Sequence, residues 1–64
     1  MKINILIVED HELTRFGLKT TFEGVDYVEN IYEADSAEKA LEIFKEHPVD
    51  VVVMDLGLPG MNGI

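Results

Sequence analysis

Cysteine is absent from this 64-residue chain, and positive charge is scarce. Without cysteine no disulfide can compensate for a small core, and thiol chemistry is excluded. A chain of this size buries only about 60% of the surface its unfolded form exposes. A metal or a partner subunit remains as an outside source of stability. Five Lys and Arg face thirteen Asp and Glu, for a formal net charge of −8. Such a surface repels phosphate backbones, so no nucleic acid partner is expected for this segment. Long apolar runs are missing too. The run from Ile3 to Val8 is far short of a bilayer span or a signal-peptide core, and it stops at Glu9-Asp10. No membrane contact is expected, and the expected location is cytoplasmic.

What is present is a globular chain, 47% hydrophobic, which argues against disorder. Ile3, Ile5, Leu6, Ile7 and Val8 form a β-branched run that is apolar on both faces, as a buried parallel strand requires. Leu13 and Phe16, then Leu18 and Phe22, carry helical spacing over about 12–23. Gly17 costs that helix about 1 kcal/mol against alanine, and close packing against a strand is the expected reason for it. Gly24 follows where a helix end favours glycine. Residues 27–34 alternate with mixed polarity, as in a strand near a sheet edge. Ser36 is a helix N-cap, with Glu38 in the first turn. Ala37, Ala40, Leu41 and Phe44 at i, i+3, i+4 and i+7 carry a helix over 36–46, ended by His47-Pro48. Val49, Val51, Val52, Val53 and Met54 form a third strand over 49–55, the most continuously apolar of the three and so expected deepest in the sheet. Gly57, Pro59, Gly60, Asn62 and Gly63 crowd the tail, which reads as a loop. The order is β-α-β-α-β, an α/β domain with parallel strands and right-handed crossovers.

Ligands of open α/β sheets bind beyond the carboxyl ends of the strands. Two strands end there in carboxylates, one at Glu9-Asp10 and the other at Asp55. If these strands are neighbours, three acidic side chains converge and repel. A divalent cation relieves that repulsion, and oxygen ligation by a carboxylate cluster suits Mg²⁺. A carboxylate such as Asp55 can also act as a nucleophile toward phosphorus. Alone, an aspartate after a strand reads more readily as a loop carboxylate or a helix cap. Paired with Glu9-Asp10, the nucleophile reading prevails.

The segments ILIVEDHELTRFGLK, EADSAEKALEIF and VDVVVMDLGLPGMNGI together resemble the receiver domain of two-component response regulators, over the whole chain. An acidic pair after the first strand is weak evidence by itself. Joined to D-x-x-x-P-x-x-x-G after the third, it is specific. The opening, with His11, Arg15 and Gly17-Leu18, is most similar to regulators whose output is a helix-turn-helix of the nitrate-response type. The resemblance implies a flavodoxin-like, doubly wound sheet with strand order 2-1-3 over these elements. It implies that Asp55 accepts a phosphoryl group from a histidine kinase. Mg²⁺ would be held by Asp10, by Glu9 directly or through water, by Asp55 and by the Gly57 carbonyl. Pro59 and Gly63 would shape the loop into a third helix. The role is a signalling module, not an enzyme.

A full receiver is roughly twice this length. The Ser or Thr after its fourth strand and the Lys after its fifth have no counterpart here. The chain therefore reads as a truncated receiver, and its third strand would be an exposed apolar edge. A homodimer or domain-swapped oligomer, pairing third strands, is the expected completion. The alternative function is a signalling-incompetent assembly module. A phosphatase-like hydrolase is a more distant reading, because such enzymes place a second Asp two residues after the nucleophile, where this chain has Gly57. Of the remaining residues, His11 is expected at a helix start near the mouth of the site, and His47 at a helix end. Met54, Phe16, Phe22 and Phe44 are expected in the core, with Met61 as loop filler. Arg15 and Lys19, one turn apart, are placed to offset nearby carboxylates.

Overall fold

The computed structural model describes residues 1–54. Its elements run β1 (Ile3–Val8), α1 (Glu12–Glu23), β2 (Val28–Ala34), α2 (Ala37–Glu46) and β3 (Val51–Met54). The three strands form one parallel sheet in the order β2-β1-β3. Parallel strands joined through helices, with the first strand in the middle, are the arrangement of a flavodoxin-like α/β fold over these elements.

β1 owes its central place to its sequence. Ile5, Leu6, Ile7 and Val8 offer apolar side chains to both faces, and all four are buried. Leu6 and Val8 pack with Ala34 on one face, against Tyr32, Ala40, Ile43 and Val49. Ile5 and Ile7 alternate onto the other face. Both helices lie over β1 and β2, and among the described residues neither lies against β3.

β3 itself departs from the expectation. Its apolar run does not lie deepest. Val51, Val52 and Met54 are exposed, while β1 is the buried strand. A continuous apolar run fits a strand covered on both faces, but the covering is done by its neighbours, and among the described residues β3 has one neighbouring strand and no helix over it. Met54 is therefore half open to solvent rather than in the core, at 52% exposure. Leu41 and Phe44 of α2 line an apolar groove with Val52 and Met54. For the same reason Phe44 is exposed rather than core. Phe16 on α1 is also exposed, and of the three phenylalanines Phe22 is the most covered. Gly17 has no close packing to explain it, since a Cβ placed there meets nothing within 4 Å.

The helix ends follow their residues. Ser36 Oγ accepts the Lys39 N–H at 3.2 Å, which caps α2. Its last turn carries Lys45, matched to the helix dipole. His47 closes α2 and stacks on Tyr32, with ring centroids 4.6 Å apart. Gly24 closes α1 with φ −86°, so it serves there without any left-handed conformation.

At the amino end of the sheet, β1 and β3 are locked by a two-point latch. The Asn4 N–H donates to Asp50 Oδ2 at 2.8 Å, and the Asp50 N–H donates to the Asn4 carbonyl at 2.9 Å. The Asn30 side-chain amide donates to Asn4 Oδ1 at 3.0 Å and ties in β2. With Asp50 used in this way, regular pairing of β3 begins at Val51 rather than at Val49. No helix among the described residues is long and apolar enough to cross a membrane.

Candidate functional site

The carboxyl end of β1 is where the apolar strand gives way to acid. The ladder to β2 continues one residue past the strand, with the Glu9 N–H donating to the Ala34 carbonyl at 3.0 Å. The chain then turns at Asp10, and His11 takes the N-cap position of α1 without forming a side-chain cap bond. Glu9 folds its side chain back over this turn. Its Oε2 accepts the His11 N–H at 2.8 Å, and the His11 ring Nδ1 lies at the same distance from that oxygen. Nδ1 also lies 3.1 Å from Asp10 Oδ1, so the imidazole bridges the two carboxylates.

The two acids differ in environment. The Glu9 side chain is 1% exposed, whereas that of Asp10 is 63% exposed. Glu9 is the buried polar residue of the described chain, and the hydrogen bonds just given account for its burial. Asp10 is open to solvent beside it. His11 is about equally exposed, and it stands at the helix start as expected.

Arg15, one turn into α1, reaches back over this corner. Its Nη1 donates to the Glu9 carbonyl at 2.8 Å, and its Nε donates to Glu33 Oε1 at 3.3 Å. Lys19 Nζ lies 3.5 Å from the other oxygen of Glu33. Arg15 and Lys19 thus offset a carboxylate as expected. The contact of Arg15 with the backbone of the acidic pair was not foreseen. The only trace of it in the sequence is the spacing of an arginine one turn after the helix start.

Ligand atoms of Glu9, Asp10 and His11 all lie within 4.8 Å of one another. One buried and one open carboxylate, with ligand atoms this close, form a donor set that fits a hard divalent cation carrying several waters. Asp55 and Gly57, the other two expected ligands, lie outside the described residues, as do Pro59 and Gly63.

Residues 5–64 match the family described as response regulator receiver domain. This chain belongs to that family. As a receiver it is 39% identical over 62 residues to the response regulator UvrY of Escherichia coli (strain K12), covering 97% of this chain and 28% of that protein. It is 37% identical over 62 residues to the response regulator GacA of Pseudomonas viridiflava, covering 97% of this chain and 29% of that protein. It is 41% identical over 61 residues to the aerobic respiration control protein ArcA of Escherichia coli (strain K12), covering 95% of this chain and 25% of that protein. The receiver thus spans between 25% and 29% of the length of these curated relatives. No solved structure matches it.

Proposed function

We propose that this receiver takes a phosphoryl group on Asp55 from a histidine kinase in the cytoplasm, with Mg²⁺ held by Glu9, Asp10, Asp55 and the Gly57 carbonyl. One observation carries the reading. β1 and β3 pair in parallel with Val8 opposite Met54, and the next residues along the two strands are Glu9 and Asp55. The register supports the convergence of the two acidic strand ends on which the chemistry depends.

The chemistry follows from the residues. A carboxylate oxygen of Asp55 attacks phosphorus, and the bond from phosphorus to the donor nitrogen breaks as the acyl phosphate forms. Bound Mg²⁺ supplies positive charge to the phosphoryl oxygens. Asp10 is open to solvent and offers oxygen ligands at the mouth. Glu9, already bonded to the His11 N–H, sits behind it and fixes the turn. The receiver serves as a signalling switch rather than turning over a substrate, and any helix-turn-helix output lies outside these residues.

The test is incubation with Mg²⁺ and acetyl phosphate, followed by intact mass measurement. An adduct of one phosphoryl group is expected on the parent chain and none on Asp55→Ala. An adduct of equal yield on Asp55→Ala would remove Asp55 from the role.

A second reading, self-association, has its own support. Among the described residues β3 has no strand on its outer side, and it exposes Val51, Val52 and Met54 on its faces; an unpaired apolar edge strand is a template for another strand. As an isolated polypeptide of these 64 residues, the chain is expected to form a two-fold homodimer through β3. This is compatible with phosphoryl transfer rather than opposed to it.

A further inference from the structure

We infer that Arg15 is a positioning residue for the acidic corner, holding the Glu9–Asp10 peptide in the orientation that Mg²⁺ requires. The inference rests on the metal-site reading above. Glu9 is tied at three points. Its N–H donates to Ala34, its carboxylate accepts from His11, and its carbonyl accepts from Arg15. The first two bonds belong to the sheet and to the turn. The third comes from a side chain six residues away, and it is the one that fixes the peptide plane leading into Asp10.

That plane matters because a peptide moves as a rigid unit. The Glu9 carbonyl and the Asp10 nitrogen lie in it together, so the direction of the carbonyl sets the position from which the Asp10 side chain departs. Freed from Arg15, the plane can rotate about its two flanking bonds, and the Asp10 carboxylate shifts with it.

Arg15 is itself held. The guanidinium is a planar fork whose donors have fixed relative directions. One donor engages Glu9, and Nε engages Glu33 near the end of β2. Its side chain is 19% exposed, so packing limits its freedom as well. The result is a brace from β2 through α1 to the end of β1. A lysine at this position keeps the charge but presents a single nitrogen, which cannot reproduce both arms of the fork.

Two effects of removing Arg15 have opposite signs. By Coulomb's law alone, taking a cation away from an anionic site strengthens binding of another cation. Loss of positioning weakens it. Groups that orient metal ligands typically change affinity 10–100-fold when removed. Mg²⁺ demands near-ideal octahedral geometry at short distances, whereas Ca²⁺ accepts irregular sites. Mispositioning should therefore weaken Mg²⁺ more than Ca²⁺, which a general loss of stability would not do.

The experiment is calorimetric titration of the full chain with Mg²⁺ and with Ca²⁺, for the parent, Arg15→Gln, Arg15→Lys and Asp10→Asn. The expected result is an Mg²⁺ Kd raised about 10-fold or more in Arg15→Gln, with a smaller rise for Ca²⁺ and with Arg15→Lys also impaired. Mg²⁺ binding by Arg15→Gln as tight as the parent's, or tighter, overturns the inference. So does an equal loss for both ions. If Arg15→Gln does not fold, Arg15→Lys decides by the same comparison. Asp10→Asn separates loss of the metal site from loss of the brace. A parent that binds no Mg²⁺, or Asp10→Asn that binds like the parent, sinks the metal-site reading and the inference with it. Binding that is lost in Asp10→Asn but untouched in both Arg15 variants sinks the positioning role alone.

Discussion

β1 and β3 are written in nearly the same alphabet, and they live in different solvents. β1 reads INILIV and β3 reads VVVM. The four residues Ile5 to Val8 are buried, whereas Val51, Val52 and Met54 are exposed. β1 has a strand on each side and helices over it, and among the described residues β3 has one strand and neither helix. The difference teaches that an apolar run states what a segment tolerates, while its neighbours decide how much water it loses.

The comparison breaks first, and by the largest effect, under truncation of side chains in the two strands. Leu6→Ala is expected to cost about 2–5 kcal/mol, because it opens a cavity in a site that is closed on every side. Val52→Ala, at 44% exposure, is expected to cost about 0.5–1 kcal/mol. Urea unfolding of both variants checks the pair, and equal losses would mean that β3 is covered as well as β1.

How far the sequence could be read follows the same line. Periodicity and β-branched runs were enough for the order of elements and the parallel sheet, since those depend on residues that pack against one another within 1–54, whereas the central place of β1 followed from the family resemblance and not from the residues, whose apolar runs pointed to β3 as the deepest strand. The acidic corner was legible because Glu9-Asp10 interrupts an apolar strand. Exposure was not legible. Phe16, Phe44 and Met54 look like core residues by type and spacing, and only the layout of the sheet shows that each is left more than half exposed. Gly17 invited a packing explanation that the open space around it denies. The bond from Arg15 to the Glu9 carbonyl was hidden because a backbone acceptor has no letter in the sequence.

Gly17 gives the next largest effect and sharpens the comparison on a helix. α1 lies over the covered half of the sheet, yet none of its residues is buried. With open space at its Cβ position, Gly17→Ala is expected to stabilise the fold by about 0.5–1 kcal/mol through helix propensity alone. Thermal unfolding reads this as a higher Tm, and a lower Tm would reveal a neighbour at that face.

The smallest effect on stability is expected at the open edge. Val52→Lys should change the unfolding free energy by no more than about 0.5 kcal/mol, while charge on the strand suppresses edge-to-edge pairing. Light scattering on the isolated 64-residue polypeptide should show the dimer of the parent giving way to a monomer. A parent already monomeric at micromolar concentration would remove the edge from any role in assembly.

The latch of Asn4 and Asp50 has a consequence at the far end of the molecule. Parallel strands are counted off from wherever they are pinned, at roughly 3.3 Å per residue, and a slip of one residue turns every side chain to the opposite face. The latch works as an origin for that counting. From it, Val8 comes level with Met54, and on the proposed reading the next step offers Asp55 to Glu9. One place earlier or later the count arrives at methionine or leucine, and neither can bear a phosphoryl group. On that reading, the residue offered to a phosphodonor is a matter of counting, begun by two hydrogen bonds at the amino end of the sheet.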